Sequence, residues 1–117
     1  MDSLRVRVCV KPFGARSGYE AEFAIDAIRM DAIAPAAMLA SAGIQPAGTT
    51  IFEYADRSEK ELPFAFAQFE IVGKSAAGRV IFGPQDTEPT IGRLLFESAG
   101  LKINPDTQEI EQRVLRL

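Results

Sequence analysis

The residue of this sequence with the clearest chemical potential is Asp26, which follows the apolar run of residues 23–25. The chain contains no histidine, so mechanisms that need a Ser-His pair, a Cys-His pair or a histidine-bound metal are excluded. Any enzymatic proton transfer must therefore use carboxylates, lysine, tyrosine or cysteine. An aspartate that ends a strand more often accepts hydrogen bonds from the next backbone N–H groups than takes part in catalysis. The sequence around Asp26 leaves both roles open.

Three other groups of residues resemble functional motifs but lack the partners that the chemistry requires. The Gly-Lys-Ser at residues 73–75 would end a phosphate-binding loop only with a glycine five residues earlier, and that position is Gln68. Cys9 has no histidine to activate its thiol, so we expect it to be inert. Asp86 and Glu88 are two loop carboxylates without further ligands. We therefore expect neither a metal nor a cofactor.

Length and composition predict one ordinary domain over residues 1–117. Of the 117 residues 47% are hydrophobic, which suffices for a core, and the net charge is −3. This charge gives no electrostatic reason to expect binding to nucleic acid or to an anionic membrane. The single cysteine excludes an internal disulfide, and the sequence shows neither a signal peptide nor a membrane-spanning apolar run. We expect a cytoplasmic location.

Alternating apolar and polar residues predict short strands over much of the chain. The predicted strands are residues 4–11, 19–26, 49–54, 62–72, 79–82, 101–103 and 110–115. One short helix should begin at Pro35 and stop at Gly43, and a second should cover residues 93–99. Residues 27–34 are expected to form a loop, and residues 90–92 to open the second helix. The sum is a mostly-β barrel or sandwich with two short helices.

The ends of the two predicted helices carry almost the same sequence. Residues 41–44 read Ser-Ala-Gly-Ile and residues 98–101 read Ser-Ala-Gly-Leu, at an offset of 57, which is close to half of the 117 residues. Each follows a strand and a loop at a corresponding place in its half. This pattern predicts a diverged internal duplication.

A series of short motifs over residues 19–110 resembles the retropepsin-like (clan AA) aspartic proteases, in particular their small bacterial type. The family has a strand ending in Asp-Thr-Gly-Ala-Thr, then a Pro and a helix, and later a flap hairpin with Ala-Asp-Gly at its turn. The matching segments here are residues 23–26, 31–35, 54–56, 78–84, 88–93, 96–101 and 103–105. The resemblance implies a retropepsin-like half-barrel, mostly β with two short helices. It also implies a homodimer in which Asp26 of each chain activates a water at a peptide-binding cleft.

The sequence departs from the family at the positions that carry the chemistry. The Thr, Gly, Ala and Thr after the family's aspartate are replaced by Ala27, Ile28, Arg29 and Met30. Ala27 lacks the hydroxyl that links the two chains in the family, and Ile28 is bulky and disfavours a positive φ. Arg29 could pair with Asp26 and lower its pKa, and Arg57 replaces the glycine of the flap. The preferred hypothesis is therefore a peptidase-family protein with impaired or lost proteolysis.

The alternative is an active homodimeric aspartic endopeptidase that uses Asp26, and a third hypothesis is an interaction domain whose likeness to the family is accidental. By the resemblance, the substrate-binding residues would be Ala27, Ile28, Tyr54, Ala55, Asp56 and Ile81. Apolar side chains that hint at hydrophobic ligands are Ile28, Phe52, Ile81 and Phe82. Asp31 is expected to cap the first helix or to brace the loop.

Overall fold

The structure of the protein is a computed structural model that describes residues 4–29 and 31–114. Within this part of the chain it contains nine strands and two short helices. The strands are β1 Arg5–Lys11, β2 Tyr19–Asp26, β3 Ala32–Pro35, β4 Gly48–Glu53, β5 Glu59–Ile71, β6 Lys74–Gly83, β7 Thr90–Gly92, β8 Leu101–Ile103 and β9 Ile110–Gln112. The helices are α1 Ala36–Ser41 and α2 Arg93–Ser98. The predicted mostly-β architecture with two short helices is confirmed.

Seven strands form one sheet in the order β1-β2-β7-β3-β6-β5-β4, and the remaining two form a separate β8-β9 ladder. Strand β1 pairs with β2 and also with the second half of β5, so the sheet curls on itself. Strand β4 forms a hairpin with the first half of β5 and lies at the end of the sheet. No helix in the described ranges is long and apolar enough to cross a membrane.

The core lies inside the curled sheet and follows from the alternation of the strands. Val6, Val8 and Val10 of β1 are buried, and the polar residues between them face outward or are partly covered. Phe23, Phe69 and Phe96 are fully buried, and the helices add Leu39, Leu95 and Phe96 to this cluster. A side chain of this size contributes about 1.5–3 kcal/mol when it is fully buried.

The strand register agrees with the predicted internal duplication. Helices α1 and α2 begin at residues 36 and 93 and end at residues 41 and 98, so both bounds differ by 57. Asp26 lies opposite Gly92 in the parallel β2–β7 ladder. At the offset of 57 residues, Asp26 corresponds to Gly83 and Gly92 corresponds to Pro35. Gly83 and Pro35 lie opposite each other in the parallel β3–β6 ladder. The two halves therefore exchange strands around an approximate two-fold axis.

Two segments are strands where the sequence predicted otherwise. Residues 32–35, expected as loop and helix start, form β3, and residues 90–92, expected to open a helix, form β7. Each is too short to show a period of its own, and each is extended because it pairs with a strand from the other half of the chain. Helix α1 consequently begins at Ala36, with Pro35 outside it. Gly43 and Gly100, both at φ 85°, end the two helices as predicted.

Strand bounds differ from the prediction in smaller ways. Strand β6 begins at Lys74 rather than residue 79, because its first half pairs with β5 through a tight turn. Strand β9 ends at Gln112, and residue 115, to which the prediction extended, lies outside the described residues.

The turn between β5 and β6 contains a residue that does not suit its backbone conformation. Val72 has φ 49° and Gly73 has φ 75°, which define a two-residue turn that favours Asn-Gly. A β-branched valine is strained in this region, and its side chain is exposed, so it gains little from packing. We expect Val72→Asn to raise the free energy of unfolding by about 1 kcal/mol.

Chemical denaturation of the two proteins measures this difference. As a matched control, Gly73→Ala places a side chain at φ 75° with no atom within 4 Å to clash with it, so it should destabilise by about 1 kcal/mol through backbone strain alone. Equal stability of Val72→Asn and the parent would contradict the turn geometry.

Candidate functional site

Asp26 is the last residue of β2, where parallel pairing with β7 ends and the chain turns away. Its Oδ1 accepts hydrogen bonds from the backbone N–H groups of Ile28, at 2.8 Å, and Arg29, at 3.2 Å. These two bonds are the main reason that the pKa of Asp26 is lowered from its ordinary value of 3.8. The two hydrogen bonds fix the orientation of the carboxylate. The side chain remains 38% exposed, so the carboxylate is still reachable from solvent.

The guanidinium of Arg29 lies beside this carboxylate without bonding to it. Its Nε is 3.8 Å from Oδ2 of Asp26, which allows charge attraction but exceeds hydrogen-bonding distance. The attraction lowers the pKa of Asp26 further, although less than the backbone N–H groups do, and partial burial acts in the opposite direction. The Nε of Arg29 is buried and has no hydrogen-bond partner among the described residues.

Ala27 and Ile28 form the exposed tip of the loop. The Ile28 side chain is 91% exposed, so it does not fill the space beside the carboxylate of its own chain. The described non-glycine residues with positive φ are Arg57, Val72 and Gln108, so Ile28 occupies its position without the backbone strain that the sequence suggested. A large apolar side chain that stands in solvent gains stability only when another molecule covers it.

Asp31 braces the far end of the same loop. Its Oδ2 accepts two hydrogen bonds from Arg79, at 3.1 Å from Nε and 2.6 Å from a terminal nitrogen, and its backbone carbonyl accepts the N–H of Gly92 at 2.9 Å. The Arg79 guanidinium also lies 5.2 Å from the centre of the Phe64 ring. The expected loop brace is confirmed, whereas the expected helix cap is wrong, because α1 follows Pro35 and has no side-chain cap.

The tip of the β4–β5 hairpin holds three of the predicted substrate-binding residues. Tyr54, Ala55 and Asp56 are all exposed. The Asp56 carboxylate accepts hydrogen bonds from the hydroxyl and backbone N–H of Ser58, and these lower its pKa. Arg57 has φ 67°, a conformation that favours glycine, which fits the place of the flap glycine in the resemblance. Asp56 therefore orders its own turn.

A pocket of about 320 Å³ lies between this hairpin and the loop that connects Asp26 to β3, here called the Asp26 loop. Its lining residues are Arg29, Ile33, Phe52, Glu53, Tyr54, Leu62, Pro84 and Thr87. Of the predicted substrate-binding residues only Tyr54 lines it directly, and the predicted apolar residue Phe52 does as well. The structure thus brings the hairpin and the Asp26 loop to one pocket, which the sequence resemblance implied.

Two predicted pocket residues lie elsewhere. Ile81 is fully buried and pairs with Ile33 and Phe64 on the neighbouring strands, so it lies beneath the pocket and can shape only its floor. Phe82 points to the opposite face of the sheet and belongs to the main core. The sequence analysis missed Ile33 as a pocket residue because its strand was interpreted as a loop.

A larger pocket of about 540 Å³ lies on the outer surface of β1, where Arg7, Cys9 and Glu20 contribute to its lining. Burial, followed by the nearby carboxylates of Glu70 and Glu20, raises the pKa of Cys9, which keeps the thiol protonated and unreactive. In the described ranges no group of three or more Cys, Asp or Glu side chains could hold a metal ion. Asp26 does not itself line the smaller pocket, but Arg29, whose Nε is 3.8 Å from the Asp26 carboxylate, does, so we refer to it as the pocket beside Asp26.

The architecture of the described residues is a mostly-β, retropepsin-like fold. The solved structures similar to this chain include two from foamy viruses. The solution structure of the protease of simian foamy virus (mac) has a TM-score of 0.58 and 16% identity, and the match covers 80% of this chain and 92% of that one. The foamy viral protease-reverse transcriptase in complex with an RNA/DNA hybrid has a TM-score of 0.60 and 19% identity, and the match covers 81% of this chain and 12% of that longer one.

At this level of identity the likeness shows the fold alone. No protein-family model matches the sequence, and no curated protein matches it either.

The Asp31–Arg79 ion pair should contribute to stability because both side chains are partly buried. We expect Asp31→Asn to lower the free energy of unfolding by about 1–2 kcal/mol, since it leaves a half-buried guanidinium with a weaker partner. Glu20→Gln removes the exposed ion pair with Arg7 and serves as a control, with an expected loss below about 0.5 kcal/mol. Equal losses in the two variants, measured by urea denaturation, would contradict a bracing role for Asp31.

Proposed function

We propose that this chain is a retropepsin-like member of the aspartic-peptidase family whose proteolytic activity is impaired or lost, and that it retains the pocket beside Asp26 as a peptide-binding site. The proposal treats residues 1–117 as one domain. It also includes a cytoplasmic location, which the single cysteine supports.

The observation that carries this proposal is the environment of the Asp26 carboxylate. An aspartic peptidase needs two carboxylates that share one proton, so that one acts as acid and the other as base. Here two backbone N–H groups and the nearby cation Arg29 all favour the ionised form of Asp26. A second carboxylate that approached this one would meet a group that resists sharing a proton.

The second carboxylate would have to come from a second copy of the chain. The position that corresponds to Asp26 in the second half is 26 + 57 = 83, and Gly83 occupies it. A side chain there would meet the Thr87 hydroxyl at 2.5 Å, so this half has no room for a carboxylate. We therefore propose a homodimer in which exposed apolar residues such as Ile28 are covered by the partner copy.

The alternative function is an active homodimeric aspartic endopeptidase. It is supported by the fixed orientation and the solvent access of the Asp26 carboxylate, which could accept a proton from a water bound between two copies. In both functions the ligand is a peptide or protein segment. The net charge of −3 offers no attraction for nucleic acid or an anionic membrane surface.

Cleavage of a diverse peptide library from acid to neutral pH tests the two functions. We expect negligible cleavage by the parent protein and an equally negligible rate for Asp26→Asn. The triple variant Ala27→Thr, Ile28→Gly, Arg29→Ala restores the first three of the four family residues after the aspartate and should gain cleavage by about 100-fold or more if these replacements alone block general acid–base catalysis. Adding Asp26→Asn to the triple variant should abolish that gain.

Cleavage by the parent protein that disappears in Asp26→Asn would instead establish the active endopeptidase. Sedimentation at several protein concentrations, in parallel, measures whether the chain forms dimers under the assay conditions.

The protonation of Asp26 gives a second, independent test. The backbone hydrogen bonds predict that an NMR titration of its carboxyl carbon yields a pKa below 3.8. Because the folded state favours the carboxylate, Asp26 adds stability above pH 3.8, and this contribution is lost as the pH falls through the lower folded pKa. A second titration step well above 3.8 in the dimer would indicate a shared proton and contradict the loss of activity.

A further inference from the structure

The guanidinium of Arg29, in the pocket beside Asp26, has a hydrogen-bond donor that no described residue accepts. Arg29 lines this pocket, and a guanidinium carries five N–H donors in a planar fork. Its Nε is buried and has no hydrogen-bond partner among the described residues, and the side chain as a whole is 35% exposed. A buried charged donor without a partner costs free energy, which a ligand with a suitable acceptor would recover.

The two acidic residues near Arg29 do not accept a hydrogen bond from its Nε. Asp26 is 3.8 Å away and its Oδ1 is already engaged with the backbone, so it attracts the guanidinium without bonding to it. Glu53 also lines the pocket, but its side chain belongs to an exposed residue at the hairpin end of β4 and is solvated. Arg29 is therefore the partly desolvated charge of this pocket, and Glu53 is the hydrated one.

The remaining lining is largely apolar. Ile33, Phe52, Leu62 and Pro84 surround a volume of about 320 Å³, which is at the lower end of the range for small-ligand sites of about 300–1,000 Å³. The pocket thus offers an apolar cavity with one unsatisfied planar cation at its edge. A ligand that matches both features presents an apolar side chain next to a carboxylate.

We propose that Arg29 is the specificity-determining residue of this pocket and that it binds the carboxylate of a peptide whose adjacent apolar side chain fills the cavity. This inference rests on the proposed peptide-binding function. The carboxylate has two possible sources, an acidic side chain within the peptide or the free carboxyl end of a chain. The fork of the guanidinium can bind either one through two parallel hydrogen bonds.

The experiment compares the retention of four peptide pools on the immobilised full-length protein. Two pools contain an internal leucine followed by glutamate or by glutamine, and two end in leucine with a free or an amidated carboxyl group. The other positions are randomised among uncharged residues. We expect the glutamate pool or the free-carboxyl pool to be retained about tenfold more strongly than its neutral counterpart, which is the effect of a typical charge-assisted hydrogen bond. The pool that is preferred identifies the source of the carboxylate.

Three variants connect that preference to Arg29. Arg29→Gln should reduce the tenfold preference to about onefold, and Arg29→Lys should keep part of it, because an ammonium binds carboxylates without the planar fork. Arg16→Gln, an exposed arginine in the β1–β2 connection, is the matched control and should retain the full preference. Comparison of amide NMR spectra checks that each variant is folded.

The outcomes separate the two proposals. Retention of the neutral pools at the level of the acidic ones, with no effect of Arg29→Gln, would overturn the role of Arg29 and leave the peptide-binding pocket intact. A complete lack of retention of all four pools would overturn both the role of Arg29 and peptide binding by this pocket.

Discussion

The structure depends on the crossed pairing of its two halves. Strand β2 of the first half pairs in parallel with β7 of the second, and β6 of the second pairs in parallel with β3 of the first. The two short strands also pair with each other, in antiparallel orientation, so every partner of each short strand lies in the other half of the chain. The short strands can therefore satisfy their backbone hydrogen bonds only across the two halves, so the centre of the sheet forms only when both halves are in place.

This pairing also decides where Asp26 lies in the fold. It places the end of β2, with Asp26, beside Gly92 at the start of α2, and it places the corresponding end of β6 beside Pro35. The two ends have diverged: one carries a partly exposed carboxylate and the other is the buried Gly83, which lies against Thr87. Of these two corresponding strand ends, only that of β2 presents a carboxylate.

The two arginines near Asp26 differ in whether their guanidinium groups have hydrogen-bond partners in the protein. Arg79 is held by two hydrogen bonds to Asp31 and packs near an aromatic ring, so it contributes to the architecture. The Nε of Arg29 lies in the same region of the molecule, buried and with no hydrogen bond to a described residue. Proteins rarely leave a half-buried guanidinium without partners when no ligand compensates. The contrast between these two arginines is the reason to assign binding to one and bracing to the other.

The sequence by itself determined the elements with a long alternating pattern of apolar and polar residues or with a glycine that ends a helix. The alternation of β1, β2 and β5 and the glycines after α1 and α2 predicted those elements, and the repeated Ser-Ala-Gly predicted the duplication. Asp26, as the polar end of an apolar strand, could also be recognised from the sequence. These features depend on near neighbours along the chain, which a sequence records directly.

Only the tertiary structure decided the parts that depend on distant residues. Strands β3 and β7 have three or four residues each and are extended because of their partners, so no local pattern reveals them. The burial of Ile81, the bracing of Asp31 by Arg79 across 48 residues and the pocket between the hairpin and the Asp26 loop all arise when the halves cross. Contacts of this kind join residues that are far apart in the sequence. They follow from the register and packing of the whole sheet, which no local sequence pattern reveals.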